Sequence, residues 1–253
     1  MDSTLIIVVA LGAAMAGFVQ GLSGFGFGLT AMALWAWTLE PMLAAALSVF
    51  GSLTGQVIAA VTVRRGFNLA RLAPFLLGGL AGLPLGIYLL PRLDVLVFKA
   101  VLGTLLVTWC PLLLASNRLP RIERGGRVAD GVAGALGGVM GGLGGFTGVA
   151  PTLWCTLRGY DKDTQRAVIQ NFNLSILSVT FLSYVASGLV TRNMLPLFGI
   201  VAPAMLIPSL LGARLYIGIS EATFRTIVLG LLTASGLALL VAAVPGLWAR
   251  LAG

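Results

Sequence analysis

Two glycine-rich stretches hold most of the residues whose types and spacing could bind a ligand. The first is GFVQGLSGFGFGLTAMAL, Gly17 to Leu34, and the second is GGVMGGLGGFTGVAP, Gly137 to Pro151. Glycine weakens a helix interior by about 1 kcal/mol relative to alanine, so an ordinary apolar helix gains nothing by clustering it. Two readings are open. In one, GxxxG pairs such as Gly17/Gly21 and Gly24/Gly28 let helices approach closely. In the other, glycine permits an unwound stretch, tolerated at membrane depth only where protein buries it or a cavity receives it. A helix restarting after such a break points unsatisfied N–H groups and its positive dipole end at the gap. That arrangement suits an anion.

Polar neighbours sharpen the second reading. Gln20, Ser23 and Thr30 flank the first stretch, and Thr147 and Thr152 flank the second. Pro151, which has no N–H, fits the start of a restarted helix. The candidate substrate contacts are therefore Gln20, Ser23, Gly24, Phe25, Gly26, Phe27 and Gly28, with Gly144, Gly145, Phe146, Thr147, Gly148 and Pro151. Asn171, within QNFN (Gln170 to Asn173), and Arg214, the one charge well inside an apolar run, join them. Each has a plainer role available. Hydroxyls bond nearby helix carbonyls, amides such as Asn171 and Gln56 cross-link helices, and a long arginine snorkels to the interface.

Other chemistries find little support. The chain contains no histidine, which removes His-based acid–base catalysis and His metal sites. Glu40, Asp94, Asp161, Asp163 and Glu221 all fall at the ends of apolar runs, and no paired nucleophile and base is visible. Cys110 and Cys155 lie in apolar runs and imply no disulfide framework. There is no Walker sequence to couple ATP. The expectation is not an enzyme, with no catalytic residue, no metal and no cofactor; a coupling ion, H+ or Na+, is not readable.

The elements that must position these residues are membrane helices. Of 253 residues, 58% are hydrophobic and 9% charged, and the mean hydropathy is +1.01. A soluble domain carries roughly 25% charged residues. Apolar runs fall at 4–38, 41–63, 69–90, 95–115, 128–157, 167–190, 194–217 and 223–244, predicting an all-α protein of about eight transmembrane helices. A straight helix over 4–38 would be about 50 Å long, against a hydrocarbon core of about 30 Å. It and 128–157 must tilt, break or fold back, and each has a glycine cluster near its middle.

The two clusters register at an offset of 120 residues, pairing Gly17, Gly21, Gly24 and Gly28 with Gly137, Gly141, Gly144 and Gly148. Gly86 and Gly212, Phe98 and Phe224, and Lys99 and Arg225 pair at 126. The chain reads as two homologous four-helix repeats, 1–116 and 128–253, each opening with a glycine-broken or re-entrant helix and joined by a basic loop at 117–127. The net charge of +8 sits in connections between apolar runs, which points to orientation and anionic lipid rather than nucleic acid. Nine of the 16 basic residues fall on the N-terminal side, a small positive-inside bias placing the central loop in the cytoplasm. Trp37, Tyr88, Tyr160 and Trp248 sit beside charged residues as interface anchors.

A duplicated membrane chain with GxxxGxxGxGFG early (Gly17 to Gly28) and GxxxGxxGGxxGxxxP opening its second half (Gly137 to Pro151) resembles the sulfite exporter TauE/SafE family. The resemblance spans both halves and the basic central loop. It implies a transporter of small sulfur-containing or organic anions, such as sulfite, sulfoacetate or thiosulfate, in a bacterial inner membrane. Phe146-Thr147 replaces smaller residues of the usual pattern, which bears on substrate size. The expected partners are a small anion and the lipid bilayer, with no nucleic acid; a homo-oligomer stays open. The competing class is an anion channel or structural membrane subunit whose glycines serve packing only.

Overall fold

The computed structural model describes residues 3–23, 26–62, 66–116, 120–122, 125–214 and 221–252, the side chains of Ser23, Ala213, Arg214, Glu221, Ala222, Phe224, Leu251 and Ala252 excepted. Among these, α-helix dominates and no strand occurs. The first overlong run is divided into α1 (Ser3–Ser23) and α2 (Phe27–Trp35). Three long helices follow: α3 (Pro41–Thr62), α4 (Leu69–Leu89) and α5 (Val95–Ala115). The second overlong run is divided into α6 (Gly126–Gly144) and α7 (Val149–Leu157). Then come α8 (Lys162–Ala186), α9 (Leu195–Arg214) and α10 (Glu221–Ala252).

Among the described residues, seven helices are long and apolar enough to cross a membrane. The eighth long helix, α6, is long enough at 19 residues but not apolar enough to join them. Its glycines and its first-turn Arg127 lower the hydropathy of a helix that packs along α4. Lipid-facing surfaces show as apolar stripes: Ile7, Leu11 and Met15 on α1 are each more than half exposed, while Val9, Ala13 and Ala16 face inward. An apolar side chain outside and a small one inside is what a helix bundle dissolved in lipid requires.

Starts and stops follow local chemistry. Asn68 Oδ1 accepts the Arg71 N–H at 3.2 Å, Asp94 Oδ1 accepts the Val97 N–H at 2.9 Å, and Asp161 Oδ1 accepts the Thr164 N–H at 2.9 Å, capping α4, α5 and α8. Asp94 also pairs with Arg250, tying the start of α5 to the end of α10. The interface aromatics stand where charge meets lipid: the Arg92 guanidinium lies 3.5 Å from the Tyr88 ring centre and Lys99 5.4 Å from that of Trp37.

Long-range packing is dominated by α4 on α6, α1 on α9 and α5 on α10, with α3 crossing α8. Small residues make the close approaches. At Gly17 a Cβ would lie 2.6 Å from the Met205 carbonyl oxygen of α9, and at Gly142 2.8 Å from the Leu83 carbonyl oxygen of α4. One carboxylate lies inside: Asp130 is buried on α6, where it accepts the Trp154 indole N–H of α7 at 2.7 Å.

Candidate functional site

The two helix interruptions face each other. Gly26 precedes α2 at φ 107°, ψ −1°, and Gly145 follows α6 at φ 81°, ψ 19°. Both are left-handed conformations that side chains resist. The short helix α2 starts directly after Gly26, and α7 starts four residues after Gly145. Gly28 in the first turn of α2 lies against the second interruption: a Cβ on it would be 2.8 Å from the Gly145 carbonyl oxygen. Ser48 of α3 donates its hydroxyl to the Gly144 carbonyl at 2.7 Å, and the buried Tyr184 hydroxyl of α8 donates to Gly142 at 2.7 Å. The last carbonyls of α6, which have no helical partner, are thereby held.

A cavity lies between the interruptions. Gln20, Gly26, Gly28 and Leu29 line it from α1 and α2, Ser52 and Gln56 from α3, Gly145 to Val149 from the α6–α7 turn, and Asn173 and Leu177 from α8. It admits the centre of a water-sized sphere over about 20 Å³, room for one or two waters and less than an oxyanion needs. None of its lining residues is charged. Its polarity comes from the amides of Gln20, Gln56 and Asn173, the hydroxyls of Ser52 and Thr147, and the backbone of the lining glycines.

Hydrogen bonds orient the polar side chains. Gln20 Oε1 accepts the Phe27 N–H at 3.2 Å, bridging the end of α1 to the start of α2. The Thr147 hydroxyl donates to Asn173 Oδ1 at 2.8 Å, and the Asn173 amide lies against Gly148, where an added Cβ would be 2.8 Å from Nδ2 and 3.0 Å from Oδ1. Ser52 Oγ is buried without a hydrogen-bond partner among the described residues. Such a group costs about 1–3 kcal/mol unless something else meets it.

The expected contacts divide into groups. Gln20, Gly26, Gly28, Gly145, Phe146, Thr147 and Gly148 line the cavity. Phe27 does not; its buried ring lies against Gly51 and edge-on to Trp35. Gly144 closes α6 against Met32, and Pro151 is buried in α7 away from the lining. Asn171 donates to the Ala167 carbonyl at 2.9 Å and borders a separate outer hollow with Arg71 and Thr164. The amide of QNFN that reaches the cavity is Asn173, two residues on. Gly24 and Phe25 lie outside the described residues, as do the side chains of Ser23 and Arg214. Ser52 went unremarked in the sequence, since one serine in an apolar helix carries no periodic signal.

The family model described as sulfite exporter TauE/SafE matches residues 9–239. The chain belongs to this family. The match runs from α1 into α10 and so includes both interruptions and the cavity. No curated protein and no solved structure matches the chain. As a TauE/SafE member with seven apolar helices of spanning length, it is an integral, multi-pass membrane protein of a transporter family.

Proposed function

We propose that this TauE/SafE chain is a secondary transporter of small sulfur oxyanions and sulfonates, with sulfite, thiosulfate and sulfoacetate as the candidates, bound in the cavity between the interruptions. The single observation that carries this is where the lining residues fall in the two halves. Gly26, Gly28 and Leu29 stand 120 residues before Phe146, Gly148 and Val149, and Ser52 and Gln56 stand 121 before Asn173 and Leu177. The cavity thus takes equivalent positions from each repeat, as expected of a site on a pseudo-two-fold axis between repeats.

Packing supports the same reading. If α1–α5 correspond to α6–α10, the pairs α1·α9 and α4·α6 exchange, while α5·α10 and α3·α8 map onto themselves. Each repeat then holds four spans, the first divided. Substrate would meet the starts of α2 and α7 in a water-excluded site. Because the cavity is smaller than an oxyanion, binding must part the halves, and rocking them about the site would expose it to alternate sides. The central basic loop is assigned to the cytoplasm of a bacterial inner membrane on its arginines.

Glycines used for packing alone, the basis of the channel or subunit reading, are real on α1 and α6 but are not those that line the cavity. A thermal-unfolding panel on the purified protein tests the proposal, because a ligand of the folded state raises its Tm by mass action. Sulfite or a small sulfonate should stabilise it. Stabilisation by cations alone would overturn the proposal.

A further inference from the structure

The cavity is rich in oxygen and empty of charge. Ser52 and Gln56 stand one helical turn apart on α3, and both line it. Ser52 is 5% exposed, and its hydroxyl oxygen has no hydrogen-bond partner among the described residues. Gln56 is 2% exposed and brings an amide carbonyl. The Asn173 carbonyl and the Thr147 hydroxyl add further oxygens. The Gly145 carbonyl oxygen stands where the interruptions meet, against Gly28. No lining side chain is charged or titrates near neutrality. The space suits one or two occupants of water size.

We infer that the cavity binds a sodium ion on the Ser52 and Gln56 oxygens, and that the oxyanion enters beside it. The inference rests on the proposed anion site and adds its counter-ion. Neutral oxygens alone select among cations. A divalent ion is held largely by carboxylates, and none lines this cavity. A proton would need a titratable side chain, and none is there. A small monovalent ion needs only carbonyl and hydroxyl oxygens, which broken helices supply in membrane transporters. Sodium, smaller than potassium, matches the space. The anion gains as well. It meets no positive side chain in the lining, and a charge taken out of water without a partner is costly. A sodium ion seated on α3 is that partner.

Calorimetric titration of the purified full-length protein with sulfite, in sodium, potassium and choline chloride at equal ionic strength, tests this. Sulfite should bind about fivefold or more tightly in sodium than in either other salt, as two coupled ligands do. Without sulfite, sodium should raise the Tm above its value in potassium. Ser52→Ala and Gln56→Leu should lose most of the sodium dependence; the second gives α3 the residue type that α8 carries 121 positions on, Leu177. Ser52→Ala removes an unmet hydroxyl, so its Tm in potassium should equal or exceed that of the native chain. That separates a lost ion site from a damaged fold. Equal sulfite affinity in all three salts overturns the inference, leaving water in the cavity and the anion site standing. A sodium effect kept in full by both variants overturns the assignment to these residues. No sulfite binding in any salt overturns the anion site itself.

Discussion

The Ser48 hydroxyl donates to the Gly144 carbonyl at 2.7 Å, joining the middle of α3 to the end of α6 across 96 residues of sequence. Both groups are buried, and the bond fixes where α6 stops. Ser48→Ala leaves that carbonyl unmet, which costs about 1–3 kcal/mol. Thermal unfolding in detergent should show a lowered Tm for Ser48→Ala and a near-native Tm for Ser48→Thr.

Gly28 and Gly145 meet where the two interruptions touch. A methyl on Gly28 would be 2.8 Å from the Gly145 oxygen, and Gly145 itself holds φ 81°. Gly28→Ala and Gly145→Ala should both lose anion flux while still reaching the membrane. Gly66→Ala is the control, since nothing lies within 4 Å of the added carbon. Equal flux in all three variants would detach the interruptions from transport.

Much of the helical plan was legible in the sequence because hydropathy and turn residues act locally. The expected runs 41–63 and 95–115 coincide closely with α3 (Pro41–Thr62) and α5 (Val95–Ala115). The cavity lining was legible where backbone geometry demanded glycine, as at Gly26 and Gly145, and where polar residues flank those glycines, as at Gln20 and Thr147. Which residues face inward was not, because a membrane helix is apolar on both its lipid and its protein sides. Asn171 and Asn173 illustrate this: they sit on different faces of α8, and composition does not say which face meets the cavity. Nor does the sequence pair Asp130 with Trp154, its hydrogen-bond partner 24 residues away.

That Asp130–Trp154 contact makes its own prediction. Trp154→Phe leaves a buried carboxylate oxygen without its 2.7 Å donor and should destabilise the protein by about 1–3 kcal/mol. Asp130→Asn keeps an acceptor for the indole and should lose less. Guanidinium unfolding followed by tryptophan fluorescence would compare them.

Asp94 gives the pH dependence. The Val97 N–H and then the Arg250 guanidinium hold its carboxyl below the usual range, against a small opposing desolvation. A lowered carboxyl stabilises the folded state above the unfolded value of 3.8, and that contribution disappears as pH falls through the lower folded value. Thermal unfolding at neutral pH should therefore show a higher Tm for the native chain than for Asp94→Asn. The difference should shrink only in acid, below the ordinary carboxylate range.

The central claim is that the cavity between the two interruptions is the transport site. Labelled sulfite counterflow in proteoliposomes, comparing the native chain with Ser52→Ala and Asn173→Ala, tests it most directly. The account predicts saturable counterflow for the native chain and a raised half-saturation concentration for both variants at equal protein incorporation. Unsaturable flux, or half-saturation unchanged in both variants, would contradict it.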